Sequence, residues 1–378
     1  MIEFNKKLIF RKFFLDNTYF FLSTIATLGT IVWVIQAVNF LDFVTEDGHG
    51  LLVYFKYSIL NFPKIILRLF PLIFFISIFY TINKFEENNE LKIFWINGID
   101  KLKFTKNLIL YSLVNLIIIY FLSTFLVPWT QNKSRVYLQD SNIDFFPSLI
   151  GEKKFIDTVD KLTIYIQKKI DEENYENIFL KDSENDQVKF IYADKGRLIN
   201  KEDERSLMLS NGKIVNVNDG KITSFDFKNT NFDLSKYMTK SVTDFKIQEK
   251  KTTNIFNCYF NFFILGDISY YDVQNCNDPG VKQMQKELFN RLVKPLFLLV
   301  LSLSLCFLLL FPKENIKYKS SRISIFLCGL IIIIIAEFSS SFTVRNFLFF
   351  KISIIVPFLI FLLQYIYLKN KINYYQKK

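Results

Sequence analysis

Long apolar segments, set in two groups toward the two ends of the chain, constrain this sequence more than any other feature. A helix needs about 20 consecutive apolar residues to cross the hydrocarbon core of a bilayer. Such segments lie at residues 17–41, 62–83, 107–127, 292–312, 323–344 and 346–368. We therefore predict three membrane spans, a polar region from about residue 128 to residue 290, and three further spans.

The placement of Lys and Arg between the spans predicts the topology. The basic segments are residues 1–16, 84–106, 313–322 and 369–378, whereas Asp42, Glu46 and Asp47 follow the first span. Loops with an excess of Lys and Arg stay on the cytoplasmic side. We therefore expect a multi-pass protein of the bacterial inner (cytoplasmic) membrane, with both termini cytoplasmic and the polar middle periplasmic. Residues 1–16 are also amphipathic, which is typical of a helix on the cytoplasmic membrane interface.

The polar middle contains short β-branched and aromatic runs, at residues 162–167, 177–180, 189–193, 207–209, 213–217 and 221–227. Turn signals separate the runs, at Asn185-Asp186, Lys195-Gly196, Asn211-Gly212 and Asp219-Gly220. Asn-Gly and Asp-Gly favour two-residue hairpin turns, and short strands at this spacing predict an all-β sandwich or jelly roll. By alternation, we expect an inner face of Leu162, Ile164, Ile166, Ile178, Phe190, Tyr192, Val215 and Val217.

The composition argues against an enzyme. The chain has a single histidine, His49, and no GxxxxGK[ST] loop. Most His-based catalysis and metal binding are thereby removed, and any ATP hydrolysis has to come from a partner. We expect no catalytic residue, metal site or cofactor. The net charge of +11 lies in loops beside the spans, so nucleic acid is not an expected partner. Cys258 and Cys276 both fall in the polar middle, where they either form a disulfide or remain as two buried thiols.

Three segments, in this order, carry a resemblance. The first is the Pro-containing second span, FPKIILRLFPLIFF, and the next is NELKIFWINGID, with Glu90 and Gly98. The last is ELFNRLVKP, with Glu287, Arg291 and Pro295. NELKIFWINGID is similar to the motif S-E-L-x-x-x-x-x-x-G-I-S, and ELFNRLVKP is similar to the motif E-x-x-x-R-x-x-x-P, both of one family. Together with the topology, they resemble the LptF/LptG (YjgP/YjgQ) permease family of the lipopolysaccharide export ABC transporter.

The resemblance covers nearly the whole chain, and the runs LTIYIQ, NIFLKD and IYADKGRL are more similar to LptF than to LptG. Asn89 stands where the family has Ser, and both residues cap helices well. The resemblance implies an α-helical membrane protein of six transmembrane helices with an inserted all-β periplasmic jelly-roll-like domain. The expected division is spans 1–3 at residues 17–128, the β-domain at 129–285, and spans 4–6 with a short tail at 286–378.

The family's function implies partners for this chain. LptF and LptG form a heterodimer of paralogous permease subunits, which binds two copies of the cytoplasmic ATPase LptB. The pair extracts lipopolysaccharide from the outer leaflet of the inner membrane and passes it through the jelly roll to periplasmic LptC. The permease itself hydrolyses nothing, so we expect a transport subunit and not an enzyme.

Charges at the periplasmic ends of the spans are the candidate lipid-phosphate-binding residues. They are Lys64, Arg68, Arg291, Lys294 and Arg345. Charges within spans usually face a bundle interior or a cavity, and Arg and Lys both suit phosphate. The alternative is that they snorkel to the headgroups. Glu337 in the fifth span either pairs with Arg291 or Lys294, lines the cavity, or is solvated.

The segment at about residues 86–100 is the candidate coupling helix, and its ATPase-coupling residues are expected to be Glu90, Leu91, Phe94, Trp95 and Gly98. The apolar members fall near helical spacing, so they form a stripe that can dock in a groove on a partner. Glu90 resembles the acidic residue with which the family contacts the ATPase. The alternative is an amphipathic segment at the membrane interface.

Other classes of membrane protein remain as alternatives. ABC permeases with ectodomains of the FtsX or MacB type have four spans, whereas six are expected here. A membrane sensor with a periplasmic β-domain needs a cytoplasmic output domain, and only residues 369–378 follow the last span.

Overall fold

A computed structural model describes the chain at residues 2–41, 51–149, 152–159, 162–171, 173–184, 187–201, 204–218, 221–234, 246–264, 278–343 and 347–377. His49, Cys276, Arg345 and two of the turn signals, Asn185-Asp186 and Asp219-Gly220, lie outside these ranges.

Ten α-helices are formed by the described residues. Their bounds are α1 Ile2–Asn39, α2 Leu51–Glu87, α3 Glu90–Ile96, α4 Lys101–Phe121, α5 Val127–Leu149, α6 Thr252–Ile264, α7 Asp278–Leu288, α8 Phe297–Cys306, α9 Tyr318–Phe342 and α10 Phe347–Lys377. A π-helical turn, Leu122–Leu126, joins α4 to α5. A second π-helical turn, Phe289–Val293, and the 3₁₀ turn Lys294–Leu296 join α7 to α8.

Six helical stretches of the described chain are long and apolar enough to cross a bilayer. They are Leu8–Asn39, Leu51–Glu87, Lys101–Leu138, Gly280–Leu310, Tyr318–Phe342 and Phe350–Tyr374, called spans 1 to 6 below. The predicted class, a six-helix membrane protein with an inserted β-domain, is confirmed. Residues 1–16, expected as a separate interfacial helix, belong to the same continuous helix as span 1 from Ile2 onward. No Pro or Gly interrupts the chain there, so the helix continues.

A buried polar cluster joins spans 1, 2 and 3. The side-chain amide of Asn17 donates to the Tyr111 hydroxyl at 2.9 Å, and its carbonyl oxygen accepts from Ser77 at 2.7 Å and Thr81 at 3.2 Å. Hydrogen bonds between helices stabilise membrane bundles because lipid offers polar groups no other partner.

The β-domain is one antiparallel sheet with strands in sequential order. The strands are β1 Phe155–Val159, β2 Leu162–Lys169, β3 Asn174–Glu184, β4 Gln187–Lys201, β5 Glu204–Asn218 and β6 Lys221–Asp233. The described strands thus form a meander, whereas a jelly roll is built from two Greek keys.

Two turn signals proved to be bends inside long strands. The turn predicted at Lys195-Gly196 and the hairpin predicted at Asn211-Gly212 were wrong, because β4 and β5 run through these residues. Asn177 and Asn211 have φ of 54° and 53° within β3 and β5. Asn tolerates this left-handed conformation. An Asn-Gly pair can therefore bend a continuous strand as well as reverse it.

The bends lie in one row across the sheet. Buried residues follow one another at intervals of two along each strand, except once. In β3 the interval from Tyr175 to Ile178 is three residues, and in β4 the interval from Ala193 to Gly196 is also three. The register between neighbouring strands is the same on both sides of the row, because each strand has its irregular interval at the same place. One buried cluster combines side chains from both sides of the row, so the sheet folds over its own apolar face.

Gly212 permits this bend. A Cβ at this position would lie 2.1 Å from the Tyr192 carbonyl oxygen and 2.5 Å from the Phe227 ring. Real Cβ atoms do not approach backbone oxygens so closely, so only glycine fits at this row.

Half of the predicted inner face is buried. Leu162, Ile164, Ile166 and Ile178 belong to the core. Phe190, Tyr192, Val215 and Val217 lie on the other face, because buried Ile191 and core-packed Ile214 alternate with them. The prediction was wrong for β4 and β5, since both faces of these strands carry apolar residues and alternation alone does not choose between them.

The chain divides into two compact units. One comprises Met1–Gln36, Leu60–Lys133 and Lys246–Lys378, and the other comprises Ala37–Ile59 and Ser134–Phe245. The first holds most of the span residues, and the second holds the β-domain. The candidate site residues described below all lie in the first unit.

Candidate functional site

Arg291 is the centre of a buried network at the junction of α7 and α8. Its guanidinium donates to Glu287 at 2.8 Å, the Lys250 carbonyl at 3.0 Å, the Thr252 hydroxyl at 2.8 Å and the Gln248 carbonyl at 3.0 Å. The side chain is only 3% exposed. The forked guanidinium suits several acceptors at once. These four bonds within the chain account for the burial of Arg291 without a lipid phosphate.

Two π-helical turns meet beside Arg291. Ser123 in the first turn donates its hydroxyl to the Arg291 carbonyl at 3.1 Å, and Tyr120 donates to the Leu292 carbonyl at 2.7 Å. Thr252 donates to the Thr124 carbonyl at 2.6 Å. A π-turn displaces backbone carbonyls from the regular helical ladder, and these hydroxyls satisfy them. The end of the bundle defined by these residues is called the Arg291 end below.

Lys294 forms an ion pair with Glu337. The pairing of Glu337 with a basic residue, one of three expected alternatives, is therefore the one observed. The contact links span 4 to span 5. Lys294 is mostly buried and its charge is already neutralised, so it is less suited to a phosphate than a free cation.

Lys64 and Arg68 lie one turn apart in span 2. The Lys64 ammonium donates to Gln131 at 3.2 Å, and Gln131 donates in turn to Asn61 at 2.7 Å. Arg68 is exposed and, within the described part of the chain, has no hydrogen bond or ion pair. These two side chains are the candidate cations that remain available to an anionic ligand. Arg345, the fifth candidate, lies outside the described residues.

Sequence reasoning missed a third cation near this pair. Lys246 is close enough to Lys64 to repel it, as Arg68 does, while Glu249 and Glu287 attract it. Lys246 follows the β-domain and lies 182 residues after Lys64, so no spacing in the sequence indicates the proximity.

The candidate coupling helix is the seven-residue α3. Asn89 precedes it with φ of 61° and makes no side-chain cap, so here Asn is used for left-handed backbone and not for capping. At the other end Gly98 has φ of 67°. The backbone amide of Gly98 donates to the Trp95 carbonyl, and that of Ile99 donates to the Phe94 carbonyl, each at 3.0 Å. This is a Schellman motif, which requires the left-handed residue that Gly98 provides.

The apolar stripe of α3 faces the interior of the chain. Leu91 and Phe94 are buried, and the Phe94 ring lies 5.3 Å from those of Phe10 and Phe104. Leu91 and Phe94 therefore position the helix and present no surface to a partner. The apolar side chains that α3 does expose are Ile93 and Ile96, the latter 84% exposed.

Ion pairs hold α3 against two other segments. Glu90 accepts from Lys12 at 2.8 Å, and Lys92 pairs with Glu314 at 2.5 Å. The hydrogen bond from Lys12 lowers the pKa of Glu90, and that from Lys92 lowers the pKa of Glu314. Arg322 also pairs with Glu87 at 2.7 Å. Three of the segments predicted to be cytoplasmic therefore meet at one end of the bundle, called the α3 end below.

Cys258 is disulfide-bonded, whereas Cys306 and Cys328 are free. Cys276 lies outside the described residues, so its pairing with Cys258 stays a prediction.

The spans, the inserted sheet and the two polar ends of the bundle define a multi-pass membrane protein with an extramembrane β-domain. The sequence profile of the lipopolysaccharide export system permease LptF/LptG family matches residues 9–371. The chain belongs to this family, whose members are permease subunits and not enzymes. It is also 23% identical over 193 residues to an uncharacterized protein, RP871, of Rickettsia prowazekii (strain Madrid E). That match spans about half of each chain, 50% of this one and 53% of the relative.

Proposed function

We propose that this chain is a transmembrane permease subunit of an ATP-driven lipopolysaccharide exporter in the bacterial inner membrane. It extracts the glycolipid from the outer leaflet and passes it by way of the periplasmic β-domain toward the outer membrane. The partners are a paralogous subunit that completes an LptF/LptG heterodimer, a dimer of the ATPase LptB, and periplasmic LptC. Both termini are cytoplasmic, so the α3 end faces the cytoplasm and the Arg291 end faces the periplasm.

The observation that carries the proposal is the availability of Lys64 and Arg68 at the Arg291 end. Lipid A presents phosphate groups, which guanidinium binds through paired hydrogen bonds and ammonium attracts as a point charge. Arg68 is exposed and makes no ion pair among the described residues, so none of them competes with a phosphate for its guanidinium. Like charges held close together repel one another, and a phosphate relieves that repulsion.

The rim of the β-domain supports a path for acyl chains. Phe225 pairs with Ile214 and so lies on the apolar inner face of the sheet. Phe225 is nonetheless 59% exposed, because β6 is the last strand and the fold of the sheet does not cover it. The packed inner face therefore continues into an exposed apolar rim, where acyl chains can be shielded from water.

For the ATPase contact we propose the exposed side of α3, with Ile93 and Ile96 as the docking residues. Glu90 acts indirectly: its ion pair with Lys12 fixes the helix against α1. A short amphipathic helix with an exposed aliphatic side can fit a hydrophobic groove on a partner.

The role of Lys64 and Arg68 is tested in the complex reconstituted with its partners. The variant Lys64→Gln with Arg68→Gln is expected to lose most of the stimulation of ATP hydrolysis by lipopolysaccharide while its basal hydrolysis stays unchanged. The matched control is Lys213→Gln with Lys228→Gln, which removes two exposed charges from the β-domain. Equal stimulation in both double variants would exclude Lys64 and Arg68 from the lipid site.

The α3 contact is tested by affinity purification from mild detergent, with the co-purifying proteins identified by mass. The wild-type chain is expected to recover a cytoplasmic ABC ATPase and a second six-span protein. Ile96→Asp is expected to lose the ATPase, whereas Ile222→Asp, at a residue 71% exposed in the β-domain, retains it. Recovery of the chain alone, under several detergents, would argue for the sensor alternative.

A further inference from the structure

We infer that α6 lies in the surface of the bilayer at the Arg291 end, with Phe256 and Phe260 inserted at the boundary between headgroups and acyl chains. The inference uses only the membrane-spanning character of the chain. It does not depend on what the protein transports, so it can fail while the proposed function holds, and the reverse.

The helix has three distinct sides. Ile255 and Cys258 are buried, and they pack with Val281, Met284 and Leu288 of α7. Phe256 and Phe260 are 49% and 50% exposed, and their rings stack with centroids 5.9 Å apart. Asn254 and Asn257 are exposed on the remaining side.

This arrangement differs from that of an ordinary surface helix, in which one side is buried and the rest is polar. Here an apolar exposed side lies between the buried side and the polar side. A helix at a membrane interface needs such a side, since its aromatic residues enter the lipid while its polar residues stay in water.

Contacts with the spans fix the level of α6. Thr252, its first residue, is hydrogen-bonded to the Thr124 carbonyl in span 3. Thr124 lies 23 residues after Lys101, where span 3 begins, which is about 35 Å along a helix. The hydrocarbon core is about 30 Å thick. If Lys101 lies at one headgroup layer, Thr124 and the start of α6 therefore lie at the other.

The helix is also held from its buried side. The Tyr259 ring lies 5.8 Å from that of Phe350, the first residue of span 6. At the same level of span 3, Phe125 and Trp129 are 60% and 51% exposed. Exposed aromatic side chains at this depth are typical of the belts that anchor membrane proteins at the interface. The exposed side of α6 thus lies at the same level as exposed aromatic residues of span 3.

The test uses the full chain with Cys306→Ser and Cys328→Ser, so that the disulfide of Cys258 is kept and no other thiol among the described residues competes. A nitroxide is attached to a cysteine introduced by Phe256→Cys, Phe260→Cys or Asn257→Cys, and the protein is reconstituted in phosphatidylcholine–phosphatidylglycerol nanodiscs. Collisions of the nitroxide with oxygen, which concentrates in lipid, are compared with its collisions with a water-soluble nickel chelate.

We expect the oxygen-to-nickel ratio to be several-fold higher at positions 256 and 260 than at position 257. Equal ratios at the three positions would overturn the inference, because the aromatic side would then face water. Exclusion of both reagents at position 256 would also overturn it, because another protein chain would then cover this side.

A second measurement needs no substitution and covers the case in which a labelled variant does not fold. Hydroxyl radicals oxidise aromatic rings that water reaches, and mass spectrometry locates the products. In nanodiscs, Phe256 and Phe260 are expected to be oxidised as little as Phe121, which is 56% exposed in span 3, three residues before Thr124 on the hydrocarbon side. Oxidation equal to that of Phe155, which is 66% exposed in the β-domain, would refute the placement.

Discussion

Replacing Arg291 with Ala should destabilise the bundle strongly, because the substitution empties a buried network. Breaking a buried ion pair costs about 3–5 kcal/mol, since the remaining partner is left charged and uncompensated. The remaining partner here is Glu287, whose side chain is 15% exposed. Two backbone carbonyls, of Gln248 and Lys250, lose a donor as well. Such groups cost about 1–3 kcal/mol each when they stay unpaired.

Water can reach part of this junction, so we take the lower end and expect a loss of about 3 kcal/mol for Arg291→Ala. At about 2 °C per kcal/mol for a large chain, the midpoint of thermal unfolding should fall by about 6 °C. Arg291→Lys keeps the positive charge but loses the forked guanidinium, so its unfolding midpoint should lie between those of the wild type and Arg291→Ala. Replacing Arg291 and Glu287 together by Met should restore part of the loss, because no buried charge is then left unpaired.

The assay follows the reaction of the Cys306 thiol with a fluorescent maleimide during heating in detergent, in a Cys328→Ser chain. Cys306 is free and buried, so it reacts only when the bundle opens. Lys282→Ala is the matched control, since it removes an exposed cation from the same span. If Arg291→Ala and Lys282→Ala unfold at the same temperature, the network does not stabilise the bundle and the reasoning fails.

Three further predictions concern other parts of the chain. Gly212→Ala should destabilise the β-domain by about 1–3 kcal/mol or more, because the new Cβ meets the backbone carbonyl of Tyr192. Limited proteolysis of the β-domain measures this loss, and Gly29→Ala, where the nearest atom lies 3.7 Å from the new Cβ, should leave the digestion unchanged. The hydrogen bond from Lys12 lowers the pKa of Glu90 in the folded chain. The stabilisation by this ion pair is therefore present above the unfolded pKa of about 4.3 and is lost as pH falls through the lower folded pKa. The difference in unfolding midpoint between wild type and Glu90→Gln should shrink from pH 7 to pH 3. Asn17→Leu should lower the midpoint by an amount equivalent to about 1–2 kcal/mol, because the hydroxyls around it lose their partner; an unchanged midpoint would contradict the role of the buried cluster.

The sequence alone was enough to predict which segments form membrane helices and which form strands. Twenty apolar residues without a charge have few alternatives to a membrane helix, and β-branched runs between turn residues have few alternatives to strands. The six spans and the inserted sheet followed from these local properties. Gly98 was recognised only as part of a motif, and its left-handed backbone at the end of α3 came from the structure.

Only the tertiary structure decided which face of a strand is buried, which partner a charged side chain takes, and whether a turn signal bends or reverses a strand. Asn211-Gly212 bends a strand because its neighbours bend at the same row, and β4 carries apolar residues on both faces. Arg291 and Arg68 have the same side chain, yet one is saturated by the segment that returns from the β-domain and the other is exposed. Pairing of charges depends on groups far apart in the chain, which no local pattern encodes. The sequence by itself therefore determined the elements, and the packing of those elements determined which residues are left to act.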